Sequence, residues 1–259
     1  MRMMKKVLGT VTVLALSVSL LAGCGSTAAS PVSSAASTAA ESTTSSVVPE
    51  TTFAAADENV AAAAQLLNDL TGSYQELWPV ILADNYQQTW LDDCAALVGE
   101  ENAEVAFEKL SSMVTGDVYG EDAVEAYANG GGAYFCGFTN SLATLTFDGE
   151  TSTISGTDKD GNVLFSHTYH YIGMEPVHGL YEFESDDADS GEFTYFFLAP
   201  DTSAETYHIE FRYGSDTDAL SQYDAGDYAY WLASGISTDC DQTMIDNCIE
   251  LFCTENLAG

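Results

Sequence analysis

Thr206-Tyr207-His208-Ile209-Glu210-Phe211-Arg212-Tyr213-Gly214 alternates two kinds of side chain. In an extended chain successive side chains point to opposite faces, so Tyr207, Ile209, Phe211 and Tyr213 share one face. Thr206, His208, Glu210 and Arg212 share the other. Arg212 is the only arginine after Arg2, and His208 is one of four histidines, so the scarce chemistry of the chain gathers on this strand.

Upstream the same period of two recurs. The run Asn129-Gly130-Gly131-Gly132 ends a helical region, and turn residues then punctuate short alternating segments. Strands are expected over 133–139, 141–147, 151–156, 163–172, 179–185, 191–198 and 206–213. Strands at this spacing suggest an antiparallel sheet curled into a barrel. Before it, helices are expected over 57–70, 103–113 and 122–128. After it, 241–253 reads as a helix with Met244, Ile245, Cys248, Ile249 and Phe252 on one face. The class is therefore mainly β, with an N-terminal helical region and a C-terminal helix.

The start of the chain is of a different kind. Arg2, Lys5 and Lys6 precede an apolar run from Val7 to Leu21, too short for a spanning helix, and Leu21-Ala22-Gly23-Cys24 closes the segment. Small residues before a cysteine form the cleavage signal of a lipoprotein, so residues 1–23 are expected to be removed and Cys24 to carry a lipid. The mature chain would then sit at the outer face of a bacterial cell membrane, anchored there and not spanning it. Residues 24–57 are mostly Ser, Thr and Ala with little to bury, and read as a flexible tether. Residues 58–259 are left as a single domain.

Forty Asp and Glu face six Lys and Arg, and three of those bases lie in the signal, so the mature chain carries a formal charge near −37. A field of that sign repels nucleic acid and attracts cations; it also serves solubility alone. Beyond Cys24 there are five cysteines, Cys94, Cys136, Cys240, Cys248 and Cys253, an odd number. An exported chain permits disulfides, and one of the last three could join Cys94 or Cys136, but the sequence leaves the pairing open.

Other motifs resolve into turns. Asp158-Lys159-Asp160-Gly161-Asn162 copies the opening of a calcium loop, but Val163 and Tyr169 stand where glycine and glutamate are needed, so a hairpin turn is expected. Asp186, Asp187 and Asp189 form an acidic turn. His167 and His170, three apart in a strand, fall on opposite faces and do not share an ion. No nucleophile, metalloprotease or phosphate-loop signature occurs, so an enzyme is not expected.

Gly72-Ser73-Tyr74-Gln75, Tyr169-His170-Tyr171-Ile172-Gly173, Tyr181-Glu182-Phe183-Glu184 and Tyr207 to Asp216 together resemble the ZinT (YodA-like) zinc-recruitment family. The resemblance runs from about Leu70 to Ile236. It implies a lipocalin-like (calycin) antiparallel β-barrel with a helical insertion, zinc bound outside the cytoplasm, and delivery to a zinc-importing ABC transporter. The family's histidine pair on this strand matches His208 at its second position, whereas the first falls on Thr206; the histidine of the preceding strand falls near Phe196. Two readings are open. A remodelled site would use His208 and Glu210, helped by Glu205, His170, His167 or His178, with calcium and manganese as alternatives to zinc. Or the barrel has lost the metal and takes a small apolar ligand or a protein partner, with Phe196, Tyr207 and Trp231 lining or plugging it.

Overall fold

The computed structural model describes residues 51–199 and 208–258, with side chains from residue 58 onward. Eight antiparallel strands succeed one another around a closed barrel: β1 (Gly72–Glu76), β2 (Thr144–Asp148), β3 (Thr153–Thr157), β4 (Val163–Met174), β5 (Tyr181–Ser185), β6 (Tyr195–Leu198), β7 (His208–Gly214) and β8 (Ala233–Ser237). Closure comes from β1, which pairs with β2 on one side and β8 on the other, so no strand is left with an open edge. Helix α1 (Thr51–Asp69) precedes the barrel. Helices α2 (Leu77–Ile81), α3 (Gln87–Val98), α4 (Ala103–Val114) and α5 (Glu121–Ala128) are inserted between β1 and β2. A short α6 (Thr217–Leu220) joins β7 to β8, and α7 (Gln242–Leu257) comes last. The expected lipocalin-like antiparallel barrel with a helical region near its N-terminus and one helix after it is observed, but only α1 precedes the barrel: the helices expected over 103–113 and 122–128 follow β1 as an insertion.

Alternation in β7 is what the barrel needs. Ile209, Phe211 and Tyr213 turn inward and are fully or almost fully buried. There they meet Phe196 and Trp231: Tyr213 lies 5.4 Å from the ring of Phe196 and 5.0 Å from that of Trp231. Phe183, Phe165 and Tyr169 extend the same core, so the lumen is filled by aromatic rings in the way small barrels are. Helix α1 adds Ala63, Leu66 and Leu67, and Leu70 just beyond its end continues the same stripe. The polar tips inside are satisfied. Tyr213 donates its hydroxyl to the Thr139 carbonyl at 2.9 Å and accepts from the Thr139 amide at 2.6 Å. Trp231 donates its indole N–H to the Gly137 carbonyl at 2.9 Å.

A second core lies outside the barrel. Leu77, Trp78 and Ile81 of α2, Trp90 and Cys94 of α3, Leu110 of α4 and Ile245, Cys248, Ile249 and Cys253 of α7 pack together with Ile236 of β8. Asp241 sets the start of α7 by accepting the Met244 amide at 3.0 Å, so the helix begins at Gln242 and presents the expected apolar face.

Several elements differ from expectation. The strand expected over 133–139 is reduced to isolated bridges from Phe135 to Thr115, just after α4, and to Trp231, just before β8. Residues 191–193 form a single helical turn before β6. Strands β1 and β8 carry mostly small or polar residues and show too little alternation to be read, and α1 begins at Thr51, inside the stretch expected as a tether. The 158–162 segment is a turn between β3 and β4, as expected. Asp158 accepts the amides of Asp160 and Asn162 at 2.9 Å each, and bonds from Asn162 hold its carboxyl below the usual range; Gly161 takes the positive φ the turn requires.

Replacing Tyr213 by Phe leaves the Thr139 amide and carbonyl without their partner inside the barrel. Urea unfolding should show a loss of about 1–3 kcal/mol with an unchanged slope; a loss within error would contradict the role given to this hydroxyl.

Candidate metal centre

Outward-facing positions of β7 carry the polar side chains. His208 and Glu210 are half-buried and two residues apart, hence roughly 7 Å along the strand on one face. Register places His208 beside Ile236 and Glu210 beside Ser234 of β8. Helices α2 and α7 cover this face. Between them a cavity of about 30 Å3 is lined by His208, Glu210, Cys248 and Glu255, with Trp78 and Phe252 among its apolar walls. Cys248 and Glu255 are seven residues apart, two helical turns, and so lie on one side of α7.

One imidazole, one thiol and two carboxylates are donor types that a divalent transition ion accepts. Burial pushes the Cys248 thiol up to about 12, so it is protonated at neutral pH and would release its proton to bind a metal. Cys136 is pushed up to about 12 as well, first by burial and then by the negative charge of Glu210. Among the described residues no group of three or more His, Cys, Asp or Glu is gathered tightly enough to hold an ion. The four donors line one cleft without converging in it.

The remaining residues expected at the site are placed elsewhere. His170 lies on the outer face of β4, with Nδ1 2.7 Å from Asp186 and Nε2 3.8 Å from Glu184. Strands β5 and β6 stand between β4 and β7, so His170 cannot share an ion with His208. His167, on the opposite face of β4 as expected, pairs with Asp187 at 2.8 Å. His178 sits in the turn after β4, its ring edge-on to Tyr223 at 4.1 Å, near the Arg212 end of β7 and away from His208. Glu205, Thr206 and Tyr207 lie outside the described residues, as does Cys24.

Arg212 completes the outer face of β7. It is fully buried, and its guanidinium donates to the backbone carbonyls of Leu220, Gln222 and Tyr228 rather than pairing with Glu210. It also stacks over Tyr223, 4.2 Å from the ring centre. This side chain fastens the 217–230 segment to the barrel. Cys248 and Glu255 are not marked as ligands by the sequence alone. The readable signal is Glu255, a carboxylate that continues the apolar stripe of α7 one turn beyond Phe252.

Fold and cleft together define a helix-flanked antiparallel barrel with a mixed N, S and O donor set on its outer wall. The chain is similar in structure to the Zn(II)-bound ZinT-like domain of Streptococcus pneumoniae AdcA, at 15% identity and a TM-score of 0.45, over 71% of this chain and 89% of that one. It is likewise similar to Zn(II)-bound AdcA from Streptococcus pneumoniae, at 14% identity and a TM-score of 0.42, over 72% of this chain and 35% of that one. No protein-family model matches the chain, and no curated protein does. Overlaps of this size leave the architecture resting on the strand pairing around the barrel.

Burial lowers the pKa of His178, with Arg212 adding to the effect and Glu175 opposing it. Its imidazole should therefore titrate by NMR below the ordinary 6.5. Protonation then favours the unfolded chain, so this residue's contribution to stability is intact above that pH and falls as the pH drops through it. A midpoint at or above the ordinary value would contradict the placement.

Proposed function

We propose that the chain is a lipid-anchored, extracytoplasmic binding protein for zinc or a related divalent cation, which takes its cargo on the β7–α7 face and passes it to a zinc-importing ABC transporter. The observation that carries this reading is the cleft that brings His208 and Glu210 of β7 beside Cys248 and Glu255 of α7. Its donor set suits zinc better than calcium, because a thiol and an imidazole are soft or borderline ligands and calcium takes oxygen. The large negative charge raises the local concentration of cations around the domain. Resemblance in the strand around His208 points the same way, and the lipoprotein signal ending at Cys24 supports the location. In this reading the protein binds and releases; it performs no chemistry on its cargo.

The alternative, a small apolar ligand, finds its room outside the barrel. Phe196 and Trp231 are fully buried in the packed lumen, while a cavity of about 350 Å3 lined by Trp78, Pro79, Leu82, Val114 and Phe135 opens beside α2. That reading predicts a molecule retained through purification and no response to metal.

Calorimetric titration of the metal-stripped mature chain at near-physiological salt distinguishes the two. Zinc should bind at micromolar concentration with release of a proton from Cys248, and His208→Ala should weaken binding by roughly tenfold or more. Neither heat nor a thermal shift with zinc would refute the metal reading.

A further inference from the structure

We propose that Cys94 and Cys253 form a disulfide that ties α3 to α7. Their sulfur atoms lie 3.8 Å apart, and both residues are completely buried between the two helices. Closing that gap to the roughly 2.05 Å of a bond asks for side-chain rotation and a small approach of helices already packed against each other. The sequence offers five candidate thiols, and the fold brings this pair into contact across 159 positions of chain. A link over so long a loop restricts the unfolded chain strongly.

The chemistry balances with an oxidant of the disulfide class. One cysteine, as thiolate, attacks a sulfur of the oxidant and expels a thiolate; the second cysteine then displaces the remaining oxidant thiolate from the mixed disulfide. Two protons and two electrons leave the protein, and the oxidant becomes two thiols. Because neither sulfur is exposed once α7 has docked, the bond is made while the chain folds and is afterwards shielded from reductants. The occurrence of such an oxidant around the chain rests on the extracytoplasmic location proposed above; the pairing itself rests on geometry alone.

The bond would also matter for the cleft. Cys253 comes directly after Phe252 and stands two residues before Glu255, both in the cavity wall. Tying this turn of α7 to α3 holds that wall in place over β7.

The mature chain, unfolded in reductant and refolded with or without oxidised glutathione, can be alkylated and mapped by peptide mass spectrometry, alongside chain isolated from the exported fraction of cells. We expect a Cys94–Cys253 crosslinked peptide after oxidative refolding and in the exported material, and a melting temperature roughly 10 °C lower in the reduced chain. Cys94→Ala should lose both the crosslink and the oxidant-dependent shift, whereas Cys240→Ala should keep both. Full alkylation of Cys94 and Cys253 after oxidative refolding, or Cys253 joined to another cysteine, would overturn the pairing. A crosslink on refolding with both thiols free in the exported material would overturn the location and leave the pairing standing.

Discussion

A closed barrel gives every residue of a strand one of two addresses, inside or outside, and β7 is held to that constraint along its whole length. Its inward residues are fixed by the aromatic interior, where Phe196, Tyr213 and Trp231 leave each other little freedom. Slipping the strand by one residue would drive His208, Glu210 and Arg212 into that interior and expose Ile209, Phe211 and Tyr213. The packing of the lumen therefore aims the polar face outward, toward the helices. Rigid rings inside become positioned donors outside.

The outer face divides along the strand. At one end Arg212 is consumed by backbone carbonyls and a tyrosine ring, a structural use that binds the β7–β8 connection to the wall. At the other end His208 and Glu210 face α7, whose docking on α2 and α3 builds a separate apolar core. The candidate metal centre lies on the seam between the two cores. One wall is set by the barrel and the other by helix packing, so the spacing of its donors depends on how α7 is seated.

Much of this is legible in the sequence where local rules decide. Period-two alternation locates β2 to β7, the Asp-Gly pair at 160–161 marks a turn, and the apolar stripe of α7 gives its buried face. Strands β1 and β8 are not legible, because Gly72-Ser73-Tyr74-Gln75-Glu76 and Ala233-Ser234-Gly235-Ile236-Ser237 have few large apolar residues and owe their strand state to pairing across the barrel closure. The site is half legible for the same reason. His208 and Glu210 stand out on one strand face, but their companions Cys248 and Glu255 reach them only through tertiary packing. His170 and His178 draw attention as scarce imidazoles; barrel order sends one to the acidic turn at Asp186 and the other to Tyr223.

Zinc held where β7 meets α7 is the claim on which the functional reading stands, and X-ray absorption at the zinc edge of the loaded mature chain tests it most directly. The expected spectrum is that of a mixed shell, with nitrogen and oxygen at about 2.0–2.2 Å and one sulfur at about 2.3 Å that disappears in Cys248→Ala. A shell of oxygen alone, unchanged by that substitution and by His208→Ala, would contradict it.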